Sequence, residues 1–279
     1  MAKKSTSKSA DRALSILELI ARRSPPAGAG ERRAGSGSSS SLNHSEISRE
    51  LNIPKSTLTA LLNTLEQRRY LSRSEQGLYT LGPRLGELAN NTPRGSDLQR
   101  ASQEMLRQLA ERTGLTAHLA ILDGAEAVYI DKAQVDSLLK VDTWVGRRLP
   151  LHCTAVGKAL LAYLPESEVR EIVGPEPLQG LTPKSLTTIS DLLEELATVR
   201  QQGWAIDDQE SDDAVRCVAA PILPFAEGDP SPPPPAQAAL GLTGRLDQMP
   251  LHQAPETAQA ALKAARLIAR QLDQLHQSQ

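Results

Sequence analysis

NHSEISRELNIPKSTLTALLNTLEQRRYLSRSEQGLYTL, residues 43 to 81, is the stretch on which the reading of this chain turns. Asn43 and Glu46 stand at the N-x-x-E spacing of a capping box, and Ile47 and Leu51 then share a face, so Asn43 opens a short helix. Asn52 and Ile53 make a turn, and Pro54 suits the first position of a second helix, where a missing N–H costs nothing. Leu58, Leu61, Leu62 and Leu65 follow at i, i+3, i+4 and i+7, a stripe that must face a core. The opposite face carries Ser56, Thr59, Ala60, Asn63 and Gln67, with Lys55 and Thr57 at the helix's exposed start. Short polar groups beside a cation suit close approach to the base edges and phosphates of a major groove. Two strand-like runs around a turn with Gly77 then complete a wing. The order is that of a winged helix-turn-helix, although an ordinary solvated helical hairpin shares the spacing of its helices.

Charge separates the two. Residues 1 to 90 hold 14 Lys and Arg against 8 Asp and Glu, a net +6, whereas residues 91 to 279 hold 17 against 25, a net −8. A basic head on an acidic body is the pattern of a phosphate-binding head on a body that does not bind nucleic acid. With 279 residues and 39% hydrophobic content the chain buries a real core and suggests two domains. It has no run of about 18 apolar residues to span a bilayer, and its polar start lacks a signal-peptide core, so the expectation is a cytoplasmic protein with no membrane partner. Cys153 and Cys217 lack C-x-x-C spacing and read as reduced thiols. An aromatic content of 3% argues against single-strand binding on stacked rings.

Taken in order, residues 1–8 form a disordered basic arm, and Ala13, Ile16, Leu17 and Ile20 mark the first helix of a head spanning 9–82. Residues 24–41, rich in Pro, Gly and Ser, read as a flexible insertion. A linker helix and boundary occupy 83–97, broken at Pro93-Arg94-Gly95, after which Ser96 caps a helix with Leu98, Ala101, Met105 and Leu109 on one face. Residues 116–122 and 127–130 are strands around the hairpin signal Asp123-Gly124, and 138–145 is a third strand candidate. His152-Cys153-Thr154 leads into a helix that Pro165 closes. A further helix from Ser190 or Asp191 to Gln202, strands at 204–207, 215–223 and 238–243, and a last helix over 254–276 make the body 98–279 an α+β arrangement around one sheet. A Pro-rich loop, 226–237, separates the last two strands.

RALSILELIA (12–21), SEISRELNIPKSTLTALLNTLE (45–66), YTLGPRLGELA (79–89), VGRRLPLHCTAVGKALLAYLP (145–165) and DDQESDDAVRCVAAPI (207–222) together resemble the IclR family of bacterial transcriptional regulators, over nearly the whole chain. The resemblance implies an N-terminal winged helix-turn-helix DNA-binding domain, a linker helix and a C-terminal GAF-like effector-binding domain. It also implies a homodimer or dimer of dimers on a palindromic operator in double-stranded DNA, more often a repressor, controlling a catabolic operon and answering to a small carboxylic acid. No cofactor and no metal are implied. Lys55, Ser56, Thr57, Thr59 and Asn63 would contact the operator, and Arg73 in the wing would reach a phosphate or the minor groove. Ala60 stands where relatives often carry an arginine. Carried over position by position, the effector pocket would be lined by Leu138 and Val141 from one strand, by Thr154, Ala155 and Val156, and by Asp207, Cys217, Gly241 and Thr243. Gly241 and Thr243 replace two serines frequent in the family, which removes a hydroxyl and opens space for a larger or less polar effector.

The chemistry of these residues leaves alternatives. A carboxylate can sit at the start of the helix after Thr154, with Thr154 and Thr243 as hydroxyl donors, or Thr154 can simply cap that helix. Ionised Asp207 would repel a carboxylate, so it binds a ligand hydroxyl, pairs with Arg216 or is protonated. Cys217 or Cys153 with His152 and Asp207 allows a thiol-dependent enzyme, though no nucleophile signature surrounds either cysteine. Zinc binding by His152, Cys153 and Cys217 lacks a fourth ligand. His118, on an apolar strand, reads as a satisfied core histidine. A head that binds protein instead of DNA is the third class, opposed by its +6 charge.

Overall fold

The computed structural model describes residues 7–23, 41–89, 93–135, 141, 143–225 and 234–277. Residues 1–6 of the basic arm, most of the 24–41 insertion, Leu138 and most of the Pro-rich loop lie outside the described residues, and Lys8, counted with the arm, already belongs to the first helix. The chain divides into two compact units, residues 1–93 and 94–279.

The first unit begins with α1 (Lys8–Arg23), followed by β1 (Leu42–Asn43), α2 (His44–Glu50), α3 (Lys55–Gln67), β2 (Leu71–Arg73), β3 (Leu78–Leu81) and α4 (Arg84–Ala89). Asn43 closes the capping box at the start of α2: its side chain accepts from the Ser45 and Glu46 N–H groups, and Glu46 accepts from the Asn43 N–H at 2.7 Å. Pro54 stands one place earlier than expected, as the residue before α3. Leu58, Leu62 and Leu65 bury against Ile16, Ile20 and Ile47, while Leu61 stays at the rim of that core. Leu42 and Asn43 also pair with Tyr79 and Leu78, so the wing is a three-stranded antiparallel sheet in the order β1-β3-β2. Gly82 seats its base: a β-carbon there would lie 2.2 Å from the Arg69 carbonyl oxygen, so only glycine permits this approach.

The second unit opens with α5 (Pro93–Thr113), whose first turn takes in Pro93, Arg94 and Gly95, read from sequence as a break. Proline at the first turn of a helix gives up no hydrogen bond, so Pro93 opens this helix, and the division between the two units falls beside it. One antiparallel six-stranded sheet follows in the order β6-β5-β4-β9-β8-β7, formed by β4 (Thr116–Asp123), β5 (Glu126–Ala133), β6 (Arg148–Pro150), β7 (Ala205–Asp208), β8 (Val215–Ile222) and β9 (Ala238–Arg245). The third strand therefore lies later than the 138–145 candidate. Of that candidate's described residues, Thr143 turns inward to His118 and Trp144 and Val145 are exposed. Pairing with β5 begins only where Gly146 donates to the Tyr129 carbonyl and Tyr129 donates to that of Arg147.

Period-two alternation gives the sheet two apolar faces. Leu119, Val218, Ala220, Leu240 and Leu242 pack on α5 and on α9 (Ala254–Gln277). Ala120, Ala219 and Ala239 face α6 (Ala155–Leu161) and α8 (Ile189–Gln202). Between those helices lies α7 (Glu166–Val173), which Pro165 opens, so that proline starts a helix as well as following one.

Candidate functional site

On α3, Lys55, Ser56, Thr59 and Asn63 are exposed and Thr57 is half-buried, opposite the leucine stripe. Thr59 is less available than its exposure implies. Its hydroxyl donates to the Lys55 carbonyl at 2.9 Å and meets His44 Nε2 at 2.9 Å, so its proton is already used and a base contact comes through its remaining lone pair, its methyl or His44 beside it. His44 was not singled out from the sequence, although its place one residue after a helix cap sets it against the next helix. Arg73 is exposed in the wing, with its guanidinium 5.5 Å from the centroid of the buried Tyr79 ring, an arrangement that steadies the side chain without neutralising it.

In the second unit a cavity of about 430 Å³ opens on the α6 side of the sheet. Val141, Thr154, Ala155, Val156, Asp207, Cys217, Gly241 and Thr243 all line it. The cause is register: Asp207 pairs with Cys217 and Cys217 with Thr243, so three neighbouring strands place these side chains on one rung of one face. Val141 reaches the cavity without belonging to a strand.

Two of the expected roles change with the geometry. Thr154 does cap α6, accepting from the Gly157 N–H at 3.2 Å, and its own proton goes to the Pro150 carbonyl at 2.6 Å, so it has none to give a ligand. The space freed at Gly241 is filled by Val156, so it does not enlarge the cavity.

Asp207 does not pair with Arg216. That arginine lies 2.6 Å from Asp208 and donates to the Met249 carbonyl, whereas Asp207 accepts from the Glu210 N–H (2.8 Å), the Ser211 N–H (3.2 Å) and the Ser211 hydroxyl (2.5 Å). Burial raises its pKa above the ordinary carboxylate value, opposed by those hydrogen bonds and by the Lys158 charge.

Sequence reasoning missed Tyr129, Thr143, Trp144, Arg147 and Ser211, which also line the cavity. Arg147 lies 5.2 Å from the Trp144 ring centroid. It precedes the edge strand β6, and Asp207 lies on the opposite edge strand, β7, so one cavity receives a cation and a carboxylate from the two ends of the sheet. The only sequence trace of Arg147 is the Gly-Arg-Arg run at 146–148.

His118 is fully buried, stacked on Tyr129 with 4.2 Å between centroids, and its Nε2 meets the Thr143 hydroxyl at 2.8 Å. Its Nδ1 has no partner among the described residues, so it is satisfied at one nitrogen only. Burial, with the Lys132 and Arg147 charges, lowers its pKa to about 3, so the ring is neutral. Neither thiol is poised as a nucleophile: burial pushes Cys153 up to about 12 and raises Cys217 as well. Among the described residues no group of three or more His, Cys, Asp or Glu could hold a metal, and no helix is long and apolar enough to cross a membrane.

Comparison with known proteins agrees with this architecture. The model of the IclR helix-turn-helix domain matches residues 9–75, and that of the bacterial transcriptional regulator IclR C-terminal domain matches residues 92–270. The chain is 36% identical over 215 residues to the HTH-type transcriptional regulator XynR of Escherichia coli (strain K12), covering 77% of this chain and 79% of that protein. The crystal structure of Thermotoga maritima IclR superposes with a TM-score of 0.70 at 25% identity, covering 94% of this chain and 98% of that one. An IclR homologue from Microbacterium hydrocarbonoxydans, solved with 4-hydroxybenzoate, gives a TM-score of 0.72 at 23% identity, covering 94% and 99%. The chain therefore belongs to the IclR family of ligand-responsive, DNA-binding transcriptional regulators and is not an enzyme.

Proposed function

We propose that this regulator is a cytoplasmic repressor of a catabolic operon, binding a palindromic operator as a dimer or dimer of dimers and released by a small hydroxylated carboxylic acid. The observation that carries the effector class is the 430 Å³ cavity with Arg147 entering from one edge of its sheet and buried Asp207 from the other. An acid whose carboxylate meets Arg147 and whose hydroxyl donates to Asp207 is complementary to both groups, whereas a carboxylate placed against Asp207 would be repelled. The solved homologue that holds 4-hydroxybenzoate carries both groups on one small molecule.

On the DNA side, Lys55, Ser56, Thr57 and Asn63 supply the major-groove face of α3, and Arg73 supplies the wing contact. One helix of this length reads few base pairs, so paired half-sites about one helical turn apart are needed for specificity. Repression follows from occupancy alone, since a bound dimer excludes polymerase without any further contact surface. Effector control requires that the acid bind one placement of the two heads more tightly than the other. The test is a binding titration on the intergenic DNA beside the gene with and without a panel of hydroxylated and deoxy acids; release by deoxy acids as readily as by hydroxy acids would remove the role given to Asp207.

A further inference from the structure

Helix α6 is apolar and fully buried except for one side chain of the wrong character. Lys158 has no exposed surface, and its Nζ lies 2.5 Å from Glu210 and 3.1 Å from Glu195. A buried ion pair is poor economy for stability, because apolar side chains of similar volume usually hold a core as well or better. What the pair does hold is a turn. Residue 210 donates its main-chain N–H to Asp207, Ser211 adds its N–H and hydroxyl to the same carboxylate, and the Glu210 side chain is anchored by Lys158. On the outer side the turn is tied by the Thr182 hydroxyl to the Gln209 carbonyl (2.7 Å) and by the Ser185 hydroxyl to the Glu210 carbonyl (2.6 Å). Asp207 itself lines the cavity.

We propose that Lys158 is a positioning residue for the effector cavity: through Glu210 it fixes the turn that holds the Asp207 carboxylate in the cavity wall. As a role in effector binding, this rests on the cavity being the effector site. The groups that bear on Asp207 are Lys158 from α6, Glu210 and Ser211 from the turn, Cys153 ahead of α6, Cys217 from β8 and Tyr129 from β5, with Glu195 of α8 beyond Lys158. Arg147 and Asp212 also line the cavity and act on Cys217, but the thiols and the phenol are uncharged near neutrality and Lys158 is the cation whose charge bears directly on Asp207. Loss of Lys158 leaves Glu210 buried without a counter-ion, frees the turn and withdraws the charge that favours ionised Asp207.

The test is an isotope-edited infrared titration of the Asp207 carboxyl in the full-length, effector-free protein, isolated by subtracting the Asp207→Asn spectrum. Lys158→Met is expected to move the midpoint up by about one pH unit or more. Glu195→Gln removes the other ion pair of Lys158 at a comparable structural cost and is expected to leave the midpoint in place. Glu210→Gln keeps the shape of the turn but removes a neighbouring negative charge, so the midpoint falls. An unmoved midpoint in folded Lys158→Met, or an equal shift in Glu195→Gln, overturns the proposal. If Lys158→Met does not fold, Glu210→Gln decides alone, and a midpoint that fails to fall overturns it. The readout uses no effector, so failure of every acid to bind would count against the effector site and not against the link from Lys158 to Asp207.

Discussion

Gly241 and Val156 approach so closely that a β-carbon at position 241 would lie 2.8 Å from Val156 Cγ1. The strand and the start of α6 are thus fitted to each other through the absence of a side chain. Gly241→Ser is expected to lose about 1–3 kcal/mol of stability through overpacking against a β-branched neighbour of few rotamers. Thermal melting checks this, and the double variant Gly241→Ser with Val156→Ala should recover most of the loss.

Thr154→Val keeps the shape of the side chain but removes the acceptor that caps α6 and the donor to Pro150. The expected result is a fall in stability of about 1 kcal/mol, read by urea unfolding, with effector preference unchanged. A changed preference with unchanged stability would show instead that the hydroxyl meets the ligand.

Because burial raises the Asp207 pKa in the folded protein, the folded state holds this proton over a pH range where the unfolded chain has released it. The fold binds more protons there, so the contribution of Asp207 to stability falls as pH rises from the ordinary aspartate value through the raised one. Measured as a difference from Asp207→Asn in unfolding experiments, wild type should lose ground across that window and level off above it. A difference that grows in favour of wild type with rising pH would contradict the assigned direction.

Arg147→Ala should weaken effector binding by about 1.5–3 kcal/mol, the range for a hydrogen bond to a charged group, and leave effector-free DNA affinity unchanged. Isothermal titration and mobility shift on the same preparation separate the two effects. Lost DNA binding without effector would mean that the variant is misfolded.

Much of this was legible in the sequence, for reasons that differ between the units. Helix α2 was readable because Asn43 and Glu46 form a local, self-contained cap, and α3 because its leucines repeat at the helical period over a full length. The pairing of Leu42 and Asn43 with Tyr79 and Leu78 was not, since it joins residues more than thirty positions apart with only two residues on one side. In the cavity, Asp207, Cys217, Gly241 and Thr243 were placed by the resemblance to the family, and alternation on paired strands explains why they share a face, whereas Arg147, Trp144 and Ser211 arrive on irregular segments that carry no period. The proton of Thr154 and the partner of Asp207 were open for another reason: a hydroxyl or a carboxylate is assigned by what happens to lie within 3 Å, which only the folded chain specifies.

The most direct test of the central claim is a mobility-shift titration of the purified protein on the intergenic DNA beside its gene, at two salt concentrations, for wild type, Asn63→Ala and Lys55→Ala. Site-specific, salt-sensitive binding is expected; Asn63→Ala should cost about 1–3 kcal/mol and relax discrimination at one base pair, and Lys55→Ala should weaken all sites alike and flatten the salt slope. Binding by both variants at the wild-type level, or no preference for this DNA over unrelated sequence, would contradict the assignment of α3 as the operator-reading helix.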